Sequence, residues 1–94
     1  MRYFGSPFGR IAFTDERLRH ILTFHPDVKS SLRYFAQTLQ EPEQTVPAIH
    51  DHNVIICYRY IARRKRFLAI VVKIGDYPFI VTAYLAKKIK KSTL

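Results

Sequence analysis

Apolar positions recur along this chain first at helical and then at strand spacing, and the change of period divides it into two halves. Gly5, Pro7 and Gly9 interrupt the start, so residues 1–9 are expected to form an irregular arm. Arg10–Thr14 (R-I-A-F-T) read as a short strand. Leu18, Ile21 and Leu22 then return at three- to four-residue spacing, which predicts a helix over 15–25. Thr14 or Asp15 supplies its N-cap, and Asp15 and Glu16 suit the positive end of its dipole. Pro26 ends that helix, because the residue before a proline is driven out of the α region. The same proline suits the first turn of a second helix capped by His25. Leu32, Phe35, Ala36 and Leu39 give residues 27–40 one apolar face.

Pro42 and Pro47 bracket a loop, E-P-E-Q-T-V-P, after which the period falls to two. Ala48–His50 read as a short strand and Asp51-His52-Asn53 as a turn, followed by a β-branched and aromatic strand over Asn53–Ala62. Arg63–Lys65 form a charged turn, and Gly75-Asp76-Tyr77-Pro78 joins two further strands, Phe67–Ile74 and Phe79–Leu85. Connections this short favour antiparallel pairing, since a parallel crossover needs a dozen or more residues. The expected fold is α+β: two N-terminal helices packed on an antiparallel sheet of three to four strands, as one domain spanning 1–94 with a basic tail over about 87–94. Both faces of residues 67–85 are largely apolar, so the second face is expected to be partly covered or to form a pocket.

Charge sharpens this division. Residues 48–94 carry ten Lys or Arg against Asp51 and Asp76, and so hold nearly all of the formal net charge of +9. A field of that strength attracts a polyanion, for a small domain most commonly RNA or DNA; the plain alternative is lysine serving solubility. The single cysteine, Cys57, lies in an apolar run and is expected to be a buried thiol in a reducing compartment. No stretch approaches the ~18 apolar residues of a membrane span. The start, M-R-Y-F-G-S-P-F-G-R, has no continuous apolar core of a signal peptide, so a cytoplasmic protein without membrane partners is expected.

Candidate chemistry is sparse. His20 and His25 stand five residues apart and share no helix face, unlike metal ligands at i,i+4; with one cysteine and no D-x-D cluster, neither a metal nor another cofactor is expected. Glycine-rich phosphate loops, Walker patterns and nucleophile elbows do not occur. An imidazole near a cleft suits proton transfer at neutral pH, the alternative for either histidine being a helix cap. In the strands, alternation sends Thr82 and Tyr84 to one face and Phe79, Val81, Ala83 and Leu85 to the other. Tyr58 and Tyr60 share a face opposite Cys57 and Arg59, and Lys73 lies with Phe67, Ala69 and Val71. Polar groups on central strands are costly unless satisfied and mark a site floor, although a strand-end lysine also snorkels to water. Tyr58, Tyr60 and Tyr84 suit stacking of single-stranded bases. The runs Arg63, Arg64, Lys65, Arg66 and Lys87, Lys88, Lys90, Lys91 suit phosphates, without sequence specificity.

Taken together, L-R-H-I-L-T-F-H-P-D-V, the E-P-E loop, C-Y-R-Y, F-L-A-I-V-V-K-I and F-I-V-T-A-Y resemble the barnase–EndoU–colicin–RelE-like nuclease superfamily, over about residues 15–90. The nearest likeness is to its small phage- and toxin-associated branches, which include colicin D-like tRNA nucleases. The resemblance implies N-terminal helices on a four-stranded antiparallel sheet, metal-independent RNA cleavage and a cognate acidic inhibitor. It would make His20 or His25 the helix-borne histidine, Lys73 and Arg59 the strand cations and Thr82 the final-strand hydroxyl. That assignment requires Lys73 and Thr82 to share a face. A non-catalytic RNA-binding module is the competing reading.

Overall fold

Two helical segments and six strands make up the fold. The computed structural model describes residues 1–90. Strand β1 spans Arg2–Phe4 and β2 Ile11–Phe13; α1 spans Asp15–Phe24, a 3-10 helix Pro26–Tyr34 and α2 Phe35–Gln40; then come β3 Gln44–Pro47, β4 Val54–Ile61, β5 Arg66–Lys73 and β6 Phe79–Ala86. Thr14 caps α1, its hydroxyl accepting from the Arg17 amide at 3.1 Å. His25 closes α1 with its own amide donating to the Ile21 carbonyl, and Pro26 opens the next turn. The second helical stretch was expected to be one helix over 27–40. It is instead nine residues of 3-10 helix followed by six of α-helix. Pro26, Asp27, Ser30 and Ser31 are weak helix formers, and the Ser30 hydroxyl donates to the Asp27 carbonyl at 3.5 Å within this tightened stretch.

The sheet is mixed and runs β1-β2-β6-β5-β4-β3. After the helices, β3 to β6 form an antiparallel meander, while β2 lies parallel to β6 through the single pair Ala12–Phe79. The sheet therefore has six strands rather than three or four, and the reasons are local. Residues 1–9 are not wholly irregular: Arg2–Phe4 pair with Ile11–Phe13 around a turn in which Gly9 adopts φ 101°. The E-P-E-Q-T-V-P segment yields an edge strand, which tolerates Pro47 at its end, and Ala48–His50 are not a strand.

One face of the sheet packs under the helices. Cys57, Ile70 and Ala83 form a buried row across β4, β5 and β6, covered by Ile21, Val28, Phe35 and Leu39. The opposite face buries Val46, Ile56, Tyr58 and Ala69, with Phe67, Val71 and Tyr84 half-buried beside them and Ile89, just past β6, folded onto them. Among the described residues no helix is long and apolar enough to cross a membrane.

Burial pushes the Cys57 thiol up to about 11, so the native protein presents no thiolate near neutrality. A thiol reagent is expected to label Cys57 only as fast as the protein opens. Ile70→Ala, next to it in the core, is expected to cost about 2–5 kcal/mol. Urea denaturation measures that loss, and labelling should accelerate in the same variant.

Candidate nucleic-acid site

The arginines of the second half gather at one end of the molecule. The β4–β5 hairpin carries Arg63, Arg64 and Lys65 in a tight turn closed by hydrogen bonds from the Arg64 amide to Ile61 O (3.0 Å) and the Lys65 amide to Ala62 O (3.2 Å). Lys65 sits at φ 51°, a left-handed conformation that disfavours side chains and costs of order 1 kcal/mol. The 3-10 helix approaches the hairpin, so Ser30, Arg33 and Tyr34 line a depression of about 210 Å³ with Arg63 and Arg64. A second depression, about 320 Å³, lies between Asp27, Leu85 and Arg63, Arg64 and Arg66. Ala86 pairs with Phe67, so Lys87 and Lys88 leave β6 next to Arg66. Among the described residues, none of these cations is held in an ion pair.

The open face of the sheet carries a different set. Register places Val71 opposite Thr82 and Ala69 opposite Tyr84, so Lys73, Thr82 and Tyr84 share one face. Near its start β6 holds one extra residue: Val72 faces Ile80 while Val71 faces Thr82, leaving Val81 as a bulge. The bulge also corrects the simple alternation, because Phe79 pairs with Lys73 on the open face rather than lying opposite it. Tyr58 and Tyr84 flank the small Ala69, and burial together with the Tyr58 phenol pushes Tyr84 up to about 12. At the cap of α1, His25 is half-buried with its ring 6.0 Å from that of Tyr84. His20 lies on the exposed surface of α1, its ring tilted against that of Phe24 at 4.8 Å.

Lys73 has a partner that the sequence did not suggest. Its Nζ donates to Asp51 Oδ2 at 2.6 Å, and the two side chains remain 37% and 42% exposed. Asp51 also accepts from the Asn53 amide at 2.9 Å. The Lys73 ammonium and that amide hold its carboxyl below the ordinary aspartate range. An apolar groove of about 260 Å³ lies alongside, between Val46, Ile49, His50, Val54 and Lys90.

Not every expected residue joins these sites. Arg59 points to the helix-covered side, away from Lys73 and Thr82. Its guanidinium donates to the Glu41 carbonyl at 2.6 Å and pairs with Glu43 at 3.5 Å, while Glu43 in turn accepts from the Tyr60 amide. Arg59 is thus a clamp on the turn before β3. Tyr58 is 1% exposed, so it offers no ring to a base; Tyr60, 45% exposed, does. Lys90 lies by the groove rather than with Lys87 and Lys88, and Lys91 falls outside the described residues. Asp51, Arg33, Tyr34 and Ser30 were missed because turn residues and a polar helix face carry no signal of a contact so distant in sequence. Among the described residues no group of three or more His, Cys, Asp or Glu is placed to hold a metal ion.

No family model, characterised protein or solved structure matches the chain.

Because the folded pKa of Asp51 lies below its unfolded value, the stability it contributes is present above the unfolded value, ~3.9, and is lost as pH falls through the folded value. Asp51→Asn keeps the acceptor for the Asn53 amide and removes only the charge. Thermal melts from pH 7 to pH 3 are expected to show a slightly lower Tm for the variant at pH 7 and a shallower decline in acid than for the parent.

Proposed function

We propose that this domain is a metal-independent ribonuclease that holds RNA at its arginine-rich end and cleaves it at the open face beside the end of α1. The observation that carries this reading is the convergence of Thr82 and Tyr84 on one face, with Lys73 along the same strand pair and His25 delivered to Tyr84 from a helix cap. The layout supports it as well: an antiparallel meander of four strands follows two helical segments, as the resemblance implies.

The chemistry required is modest. The 2′-oxygen attacks the adjacent phosphorus, forming one P–O bond while the bond to the 5′-oxygen breaks. His25 takes the 2′-hydroxyl proton. Tyr84, still a phenol at neutral pH, gives its proton to the leaving alkoxide. That oxygen is a far stronger base than a phenolate, so the transfer runs downhill. The two rings are adjacent, which lets the proton on His25 return to Tyr84 and reset the site. Thr82 donates to a non-bridging oxygen. Lys73 lies four residues from the Tyr84 row, about 13 Å along the strand, so its ammonium serves a neighbouring phosphate, using protons not given to Asp51. Transfer RNA is the substrate class to assay first, and the uncompensated arginines suit an acidic inhibitor protein in the same cytoplasm.

One observation favours the non-catalytic alternative. Lys73 is already paired with Asp51, as a structural lysine would be. Purified protein incubated with total RNA in EDTA distinguishes the two readings. The expected products end in 2′,3′-cyclic phosphate; intact RNA at micromolar folded protein would overturn the nuclease and leave a binding module. His25→Ala and Tyr84→Phe should each abolish most cleavage, with His20→Ala near the parent. Lys73→Met should lose less than the ~100-fold typical of deleting a stabiliser at the scissile centre, because it sits one phosphate away. Equal activity in His25→Ala and the parent would remove histidine from the mechanism.

A further inference from the structure

A depression that the reading above does not use lies at the other end of the strands from the hairpin arginines, about 25 Å away along β5. It is about 480 Å³, larger than either depression at the arginine-rich end, and lies between the β1–β2 turn and the Gly75–Pro78 turn. Register decides which face it borders. Tyr3 pairs with Ala12, Ala12 with Phe79 and Phe79 with Lys73, so these four residues form one row across β1, β2, β6 and β5. Paired residues share a face, and Lys73 fixes it as the open one. Ile11 and Phe13, on either side of Ala12, point into the helix-covered core. Tyr3 and Ala12 therefore border the depression from the face that carries Thr82 and Tyr84.

The walls of this pocket are aromatic and open to solvent. Tyr3 is 50% exposed and Tyr77 91%, in contrast to the buried Tyr58. The Arg10 guanidinium lies over the Tyr3 ring at 4.4 Å, adding a flat cationic plate to that wall. Ala12 contributes only a methyl group. The two sides are tied together, since the Ala12 amide donates to the Pro78 carbonyl at 2.9 Å. The β1–β2 turn is tied as well: the Ser6 hydroxyl donates to the Gly9 carbonyl at 2.7 Å and accepts from the Phe8 amide at 3.0 Å. Aromatic walls beside a cation suit a flat ring that carries a negative charge next to it, which describes a nucleotide. Asp76 also lines the pocket, and a carboxylate there accepts from the exocyclic amino group of a base. A paired base hides its faces within an A-form helix, so such a pocket serves only an unpaired one.

We propose that this pocket takes one unpaired base of the bound RNA: the base stacks against Tyr3 and Tyr77, Asp76 accepts from its amino group, and Arg10 holds its phosphate. Lys73 lies two strand spacings, about 10 Å, from Ala12 along the same row. The pocket thus extends the path of the chain beyond the phosphate that Lys73 serves. The proposal rests on the RNA reading above and names what that reading leaves open, namely a preference for single strands and for a base with an amino group over uracil at one position.

The chain has no tryptophan, so Tyr77→Trp places a single indole in the pocket as a reporter. Short 2′-O-methyl oligonucleotides, which lack the attacking hydroxyl, bind without being cleaved. Single-stranded oligo-C is expected to quench the indole emission of Tyr77→Trp, whereas inorganic polyphosphate, which carries charge but no bases, should leave it unchanged. Tyr3→Leu should weaken oligo-C binding about 5- to 150-fold, the loss of one stacked base, with the salt dependence unchanged, and Tyr3→Phe should restore it. Arg10→Gln should instead lower the salt slope by about one, and Asp76→Asn should narrow the difference between oligo-C and oligo-U. Melting curves of each variant confirm folding. Oligo-C that binds without quenching, polyphosphate that quenches as deeply as oligo-C, or a folded Tyr3→Leu protein with parental affinity would overturn the pocket while leaving RNA binding intact. No binding of any oligonucleotide would overturn the RNA reading with it.

Discussion

Strand β5 is the constraint on which the other elements depend. It is paired along its whole length with β4 and along nearly all of it with β6, and its central residues are buried on both faces. A strand in that position has no freedom to slip: a shift of one residue would exchange Leu68, Ile70 and Val72 for Ala69, Val71 and Lys73 under the helices. The helix-covered core fixes the register, and the register in turn fixes where every polar group of the sheet emerges. Lys73, Thr82 and Tyr84 share a face because Ile70 must lie between Cys57 and Ala83.

The charges of the molecule divide into two kinds. Lys73 and Arg59 are each committed to a carboxylate near a turn, and each ties a loop to the sheet. The cations around the hairpin are not committed in this way, and crowding them at one end raises the energy of the folded state by mutual repulsion. The left-handed Lys65 adds to that cost at a position where glycine would be at ease. Unpaired positive charge at this end is consistent with a surface that gains its counter-charges from a polyanion.

Much of the fold was legible where physics acts locally. Thr14, His25 and Pro26 mark the bounds of α1, and the strands around Arg63–Lys65 and Gly75–Pro78 show because the period of two is long and the turn residues are distinctive. The missed strands β1 and β3 are short edge strands, each made by pairing with the next strand along the chain rather than by its own propensity. Of the site, the shared face of Tyr58 and Tyr60 was legible, but the burial of Tyr58 was not, since Ile89 covers that face only in three dimensions. That His25 rather than His20 lies beside Tyr84 likewise depends on the packing of α1 against β6. Asp51 read as turn chemistry, and its second role, as partner of Lys73, depends on a loop brought beside β5 by the β4–β5 pairing.

Val81 bears on how this sequence can change over generations. It is the one residue of β6 without a counterpart in β5, and it keeps Ile80 and Ala83 together on the core side although they stand three residues apart. Loss of a single residue there would restore even alternation. Ile80 and Ala83 would stay on the core side and Thr82 and Tyr84 on the open face, now paired without interruption. The bulge is thus a slack residue: β6 can lose one residue at this point and keep both faces, whereas a second loss would exchange them. Descendants of this chain can therefore shed a residue at Val81 as well as change length in the exposed turn over residues 75–77.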